Sequence, residues 1–392
     1  MFKSLSPIEI ALIKKIGGNG GSGGGGGGGS SSASPKDVNF YDYDGTLVAS
    51  YSLSEAQSLT ALPDGPTYDG LTFQGWNYTL EKVKAFTRPM NVGAMCITDD
   101  GKTRLHIRIA AEGRMNVPLY ISQTVENGVT IDWGDGSATE TLAGTGNVNT
   151  THTYASIGDY TITLNPVDGC KLGLGDGSSS HCVLGSIDKN GRVYCNMLQA
   201  VNIGKNVTSI GTYALQYCYS LASITIPESV TSIGSYVFNN CYSLASITIP
   251  NSATSIGSFA FNNCFSLTSI TIPNNVTSIG NSAFGNCYSL ASITIPNSVT
   301  RIGDSVFSYC FSLASVTIPY GVTSIGNYAF GGCYGMAEYH IKPTTPPTLS
   351  NTNAFASIPS DCIIYDPQGC LEAYQNATNW TTYASKMQEE SA

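Results

Sequence analysis

Between residues 201 and 342, apolar positions return at one long interval. Ile210, Ile233, Ile256, Ile279, Ile302 and Ile325 stand 23 residues apart, as do Leu221, Leu244, Leu267, Leu290 and Leu313, with Met336 closing that column. Within each interval "ITI" or "VTI" alternates apolar and polar residues at the two-residue period of a strand, and Pro227, Pro250, Pro273, Pro296 and Pro319 end it. A second extended piece, "VTSIG", and a turn or short helix around "SAFGNC" complete the unit. No such unit buries its apolar stripe alone. The pattern therefore predicts coils stacked into a solenoid over 201–342, with the Ile, Leu, Ala/Val, Phe and Cys columns as inner core.

Outside the array the pattern changes. Residues 1–16 read as a short amphipathic helix starting near Ser6-Pro7, and 17–36 are a Gly/Ser tract that builds no core and reads as a tether. Residues 37–90 open with strand-turn-strand alternation around Asp44-Gly45, followed by Phe73, Trp76 and Tyr78 and a helix-like stretch from Thr79 to Phe86, giving a small β-rich module. From 91 to 165 the pattern is all strand ("MCITDD", "TRLHIRI", "PLYISQ", "VTIDWGDGS", "GDYTITL"). Residues 166–200 are irregular, with Ile187 and Leu198 as weak precursors of the repeat. Residues 343–392 break period, with a strand near Ile363–Tyr365 and a helix through Leu371–Tyr374. They form the cap that a solenoid needs on its last apolar edge. The expected class is mainly β and multidomain.

Two further columns share the period. Cys218, Cys241, Cys264, Cys287, Cys310 and Cys333, preceded by Cys195, place one thiol per coil, and the expected reading is a stack of buried free thiols acting as small hydrophobes. Cys96, Cys170, Cys182, Cys362 and Cys370 lie outside it, and a Cys362–Cys370 bridge stays open. An aromatic follows each column cysteine: Tyr219, Tyr242, Phe265, Tyr288, Phe311 and Tyr334. This outward ladder either stacks as part of the shell or forms a strip that binds sugar or protein.

Composition narrows the function. Charged residues are 11% of the chain, against roughly 25% in an average globular protein, and the net charge is -9 with only 18 Lys+Arg. That leaves no basic surface for nucleic acid or an anionic membrane. No apolar run approaches the ~20 residues of a membrane span. The N-terminal segment is a poor signal peptide, since Glu9 interrupts its apolar run and Lys14 and Lys15 follow.

Candidate chemistry is sparse. "YDYDGTLV" resembles the aspartate motif of haloacid-dehalogenase-type phosphatases, with Asp42 as nucleophile and Asp44 as general acid, but no βαβ series follows and a hairpin turn is the expected outcome. "IDWGDGSATET" offers Asp132 and Asp135 yet lacks the final acidic residue of a calcium loop. His106, His152, His181 and His340 are scattered, and the His181-Cys182 pair lacks metal-ligand spacing. The expectation is no catalytic residue, no metal and no cofactor.

Residues 201–342 resemble the BspA-like leucine-rich repeats, matching "SLxSITIPxSVTSIGxxAFxxC" nearly throughout, and "IIYDP…LEAYQNATNWTTYA" looks like that family's usual ending. The resemblance implies a surface protein that binds host or matrix partners. "DWGDGS" followed by "HTY" and "GDYTITL" resembles the polycystic-kidney-disease-type immunoglobulin-like module, which implies a β-sandwich spacer over 91–165. The segment from "IEIALIKKIGG" through "NYTLEKVKAF" resembles structural proteins of tailed bacteriophages of gut bacteria, while its "GLTFQGW" element also looks like small β-modules of bacterial surface repeats.

With no export signal legible, the expectation is a non-enzymatic virion fibre or decoration protein on the phage surface. Its N-terminal segment would hold other virion proteins, and its solenoid a bacterial surface glycan or protein. A homo-oligomer, a trimer by analogy with fibres, would have no heptads behind it. The alternatives are a bacterial cell-surface or secreted leucine-rich-repeat adhesin and an inert stalk.

Overall fold

The computed structural model describes residues 36–41, 47–67, 71–76, 80–85, 90–98, 100–177, 181–185, 194–221 and 223–391. The expected N-terminal helix, the Gly/Ser tract up to residue 35, the Asp44-Gly45 turn with Asp42, Tyr78, and Ile187 lie outside them.

The first module is a four-stranded sheet of β1 (Val38–Tyr41), β2 (Leu47–Tyr51), β3 (Leu71–Trp76) and β4 (Met90–Thr98), in the order β2-β1-β4-β3. Two one-turn helices join it, α1 (Leu53–Gln57) and α2 (Leu80–Lys84). Helix α1 starts with a reciprocal cap: the Ser52 hydroxyl accepts the Glu55 N–H at 3.3 Å, and the Glu55 carboxylate accepts the Ser52 N–H at 2.7 Å. Phe40 and Trp76 meet edge to face at 5.0 Å in a core with Val38, Ala56, Val83 and Val92. Residues 91–98, expected from their pattern in the following module, continue the strand Met90–Thr98 of this sheet instead. That strand pairs parallel with β1 and antiparallel with β3, which fill its two edges.

The second module has seven strands: β5 (Thr103–Ile109), β6 (Asn116–Gln123), β7 (Val129–Asp132), β8 (Glu140–Leu142), β9 (Gly146–Thr153), β10 (Gly158–Pro166) and β11 (Leu172–Leu174). They form two antiparallel sets, β5-β10-β7-β8 and β11-β6-β9. Alternation decides the buried face: in β5, Leu105, Ile107 and Ile109 are buried while Arg104, His106 and Arg108 are not.

The "DWGDGS" residues serve this packing. Asp132 accepts the Gly134 N–H at 2.9 Å and Asp135 the Ser137 N–H at 3.0 Å, so each closes a turn. Asp135 also meets His152 Nε2 at 2.7 Å, and His152 lies flat on buried Trp133 at 4.8 Å. The Ser137 and His152 contacts hold the Asp135 carboxyl down at about 2.

Both sheets of this module run on into the repeats. Strand β12 (Leu198–Asn202) pairs antiparallel with β5 and parallel with Ser223–Thr225 of the next coil. Strand β13 (Val207–Ile210) pairs parallel with β11. One buried core then extends from Leu105 to Met387. The segment 166–200, irregular in sequence, is the seam: it supplies β11 and β12, which cover the first coil's open edge.

Each coil has three sides. On the first, "SIT" strands pair in parallel, Ile224 with Ile247 and Ile270 with Ile293. On the second, Ile256, Ile279, Ile302, Ile325 and Leu349 form a continuous parallel column. The third, around "SAFGNC", is a run of tight turns with no helix. Two residues per coil take left-handed backbone, Ser282 (φ 54°) and Asn286 (φ 59°) in one, Phe259 (φ 56°) and Asn263 (φ 61°) in another. Such a conformation costs a non-glycine residue of order 1 kcal/mol or more. Inter-coil hydrogen bonds offset it: the N–H groups of Ser282, Phe284 and Asn286 donate to Asp304, Val306 and Ser308 carbonyls at 2.8, 2.9 and 2.7 Å.

The C-terminal cap comprises Ile363–Asp366, helix α3 (Leu371–Asn376), a 3-10 segment (Trp380–Lys386) and Met387–Glu389. Its buried rings donate to loop carbonyls, Trp380 Nε1 to Pro347 at 2.7 Å and Tyr374 Oη to Pro343 at 2.6 Å.

Candidate functional site

The turn side carries the sequence-predicted residues in layers. Innermost is a stack of phenylalanines, Phe238, Phe261, Phe284, Phe307, Phe330 and Phe355, with ring centroids 5.2–5.5 Å apart and all buried. Beside it run Cys218, Cys241, Cys264, Cys287, Cys310 and Cys333, buried and free. Their thiols do more than fill space. From Cys241 to Cys333 each Sγ donates to a buried backbone carbonyl of the preceding coil: Leu215 at 3.1 Å, Phe238 at 3.2 Å, Phe261 and Phe284 at 3.3 Å, Phe307 at 3.2 Å. Each of these carbonyls also accepts the N–H of its own coil's column cysteine, at 3.1–3.4 Å, so the thiol adds a second hydrogen bond that ties one coil to the next.

Cys195 departs from the expected thiol column, being disulfide-bonded to Cys182. The segment that carries Cys182 is threaded between the second module and coil one, since Val183 donates to the Ala214 carbonyl and accepts from the Tyr120 N–H. This brings Cys182 beside the first column position. Cys362 and Cys370 are both free.

Desolvation pushes the thiols of Cys218, Cys264, Cys287, Cys310 and Cys333 up, Cys287 and Cys333 to about 12. They stay protonated and unreactive at neutral pH. Iodoacetamide applied to the native protein should therefore label the half-exposed Cys370 and spare the column until urea is added. Peptide mass spectrometry reads this directly, and native labelling of Cys287 would show that the coils open.

The outer layer is the aromatic ladder. Tyr219, Tyr242, Phe265, Tyr288, Phe311 and Tyr334 stack in register, with centroids 4.6–5.5 Å apart and planes within 26°. The first four are half-buried; Phe311 and Tyr334 are exposed. A second stack, Tyr213–Tyr236–Phe259 at 4.7 Å spacing, sits at the left-handed turn position. Sequence reading missed it, although the same 23-residue spacing reveals it. Between ring columns runs an amide ladder, in which Gln216 donates to Asn239 at 2.9 Å and Asn263 to Asn240 at 2.8 Å.

The strand side is different in character. A groove of 210 Å³ lies between Ser246–Thr248 and Ser269–Thr271, edged by Glu228 and Asn251. The Glu228 carboxylate is committed to the Asn251 and Ser252 N–H groups at 3.1 and 2.9 Å. The four histidines are far apart in the chain and each meets polar neighbours: His106 meets Thr161 and Asn202, His152 Asp135, His181 Asp176, and His340 Glu338 and Glu390. Among the described residues no group of three or more His, Cys, Asp or Glu is placed to hold a metal, and no helix is long and apolar enough to cross a membrane.

Residues 185–314, about a third of the chain, match the BspA type leucine rich repeat region in six copies, so that stretch is a leucine-rich-repeat region similar to the BspA type. Among solved structures it is similar to a leucine-rich repeat protein from Bacteroides ovatus, at 30% identity over 43% of this chain and 49% of that one, with a TM-score of 0.38. It is similar also to the leucine rich repeat protein of T. pallidum (28% identity, 50% and 79% of the chains, TM-score 0.35). A third is a leucine rich cell surface protein from Faecalibacterium prausnitzii (28%, 51% and 68%, TM-score 0.30). The chain spans about half the length of the first of these, 49%. No curated protein matches it. None of these matches ties the chain to bacteriophages, and the virion assignment expected from residues 1–90 finds no support in them.

Proposed function

We propose that this chain is a non-enzymatic adhesin, displayed on or secreted from a bacterial cell, whose repeat array binds a protein or glycan partner along its aromatic turn edge. The observation that carries this reading is the six-ring stack ending in two exposed rings, Phe311 and Tyr334, on a coil array with one continuous core. Rings fixed by their neighbours offer contact area at little entropic cost. The BspA-type match supports the surface assignment. The Cys182–Cys195 disulfide agrees with folding in an oxidising compartment. In this reading the second module, with its resemblance to the polycystic-kidney-disease type, closes the array and serves as spacer. No cofactor takes part.

The test is binding of fluorescently labelled protein to intact bacterial and host epithelial cells, together with immunogold microscopy of cells that carry the gene. Gold on the envelope and saturable binding that falls when Phe311 and Tyr334 are both replaced by alanine are expected. Gold confined to virus particles, or binding indifferent to that double replacement, would overturn the proposal.

A further inference from the structure

The ladder is regular, but its exposure is not. Among the described residues, every exposed large aromatic side chain falls between 309 and 334: Tyr309 (47%), Phe311 (38%), Tyr320 (70%), Tyr328 (43%) and Tyr334 (55%). The other exposed large hydrophobic residues, Val48, Val125, Ile157 and Val167, are aliphatic and lie outside the repeats. Four of these rings belong to the turn side of the last two regular coils. Tyr309 meets Phe311 edge to face at 6.1 Å, and Phe311 stacks on Tyr334 at 5.5 Å.

The sequence departs from its own repeat to make this cluster. Where earlier coils carry Asn240, Asn263 and Asn286 before the column cysteine, the last carries Gly332, preceded by Gly331. A Cβ at Gly332 would stand 2.6 Å from the Tyr309 ring, and one at Gly331 2.8 Å from the Tyr328 ring. Both rings therefore lie directly against the backbone of the final coil; at the Gly332 position the other coils carry Tyr217, Asn240, Asn263, Asn286 and Tyr309, whose side chains forbid that approach, whereas the Gly331 position is glycine also at Gly285. Gly332 also takes left-handed backbone (φ 74°), which glycine adopts without strain. The result is a cluster of rings held from below and open above.

Its surroundings select the ligand. From residue 206 to 337 the chain carries only three charged side chains, Glu228, Arg301 and Asp304. Arg301 belongs to the strand column on the second side, and Asp304 is engaged by the Asn327 N–H at 2.8 Å. The turn side of the last two coils offers no cation to a carboxylate, sulfate or phosphate, and the net charge of -9 repels anions. The turns that carry the rings also contain Ser305, Ser308, Ser312 and Asn327, and no exposed large aliphatic side chain lies in them. A protein hot spot instead sits at the centre of a desolvated, well-packed apolar contact.

We infer that the cluster of Tyr309, Phe311, Tyr328 and Tyr334 is a binding site for uncharged saccharide. The apolar C–H faces of the sugar lie on the rings, and its hydroxyls meet the phenol groups and the serine hydroxyls of the same turns. The inference rests on the adhesin reading and narrows it: the inner ladder, with half-buried rings, is scaffold, and its C-terminal end is the site.

A microarray carrying neutral, sialylated and sulfated oligosaccharides tests it with the intact protein. Signal is expected on neutral oligosaccharides. Tyr334→Ala and Tyr309→Ala should each weaken it about 10-fold, the scale of one lost ring contact. Tyr320→Ala, which removes a still more exposed ring in the turn between the two strand sides, should leave it unchanged. Thermal unfolding of each variant within a few degrees of the parent, on the scale expected of surface changes, keeps the comparison fair. Signal confined to acidic spots, or equal in all variants, overturns the site. Cell binding that depends on Tyr309 and Tyr334 with no neutral glycan bound overturns the ligand class and leaves the adhesin reading standing. Absence of both removes the two together.

Discussion

Phe284→Ala should lower the stability of the array by about 3–5 kcal/mol. The ring is fully buried and stacks on Phe261 at 5.3 Å and Phe307 at 5.5 Å, so its removal opens a cavity between coils as well as losing apolar burial. The walls have little freedom to collapse. On the turn side they are backbone pinned by inter-coil hydrogen bonds, including the Phe284 N–H to the Val306 carbonyl at 2.9 Å and the Cys310 thiol to the Phe284 carbonyl at 3.3 Å. Each coil is stabilised by its two neighbours, and a fault in the middle therefore uncouples two short half-arrays. In urea, the expected result is a lower midpoint and a transition that broadens or splits, with early proteolysis near residue 284. A single sharp transition displaced by less than about 1 kcal/mol would mean that the coils do not depend on this column.

Asp366→Asn should stabilise the C-terminal cap near neutral pH and flatten its pH dependence. Asp366 ends the strand Ile363–Asp366, which lies in the parallel ladder between Glu338–Ile341 and Met387–Glu389. It is fully buried, and neither carboxylate oxygen meets a hydrogen-bond donor among the described residues. Burial, with the Glu389 carboxylate adjacent, pushes its pKa up from 3.8 to about 6. The folded state then holds the proton more tightly than the unfolded chain. Stability is greatest below about pH 4, falls as pH rises from 4 to 6, and above 6 the cost is fully expressed. A rise of that size costs the fold at most roughly 3 kcal/mol, and less where water screens the carboxylate. The neutral isostere removes the slope in that window. Urea titrations of parent and variant at pH 4, 5, 6 and 7 give the difference, and parallel curves would show that the carboxylate is solvated or paired.

Some of this was legible in sequence because it is periodic. Ile210 and its successors, the leucine column, the phenylalanines before each cysteine and the prolines after each strand repeat at 23 residues, and a stack of like coils has one place for each. The strand at Ile363, the helix at Leu371 and the caesura before them follow from local turn chemistry, the proline-rich break after Lys342 and the turn from Pro367 to Gly369 (φ 78°). The seam was not legible. Nothing local in "KLGLGDG" or "LQAVN" marks them as the strands that carry two sheets from one module into the next, since edge pairing is fixed by partners distant in sequence. The placement of residues 91–98 is likewise not legible, because the pairing of their strand with Val38–Tyr41 spans some fifty residues. Cys195 obeys the period yet forms a disulfide, for the period describes the coil and not the segment threaded past its open end.

The candidate site divides the same way. The order of the rings along the chain fixes which aromatic stacks on which, since neighbouring coils are held in register by backbone pairing. Exposure is a different quantity. Tyr242 and Tyr334 occupy equivalent positions in sequence, and only the packing around them makes one half-buried and leaves the other 55% exposed. Gly331 and Gly332 read as loop residues until the rings of Tyr309 and Tyr328 are seen lying against them. The repeating coil and its columns follow from the chain's own pattern, because burial in a stacked array is periodic and local. Which module closes the array, and where its rings reach solvent, is settled only by three-dimensional packing, because both depend on what the ends of the stack meet.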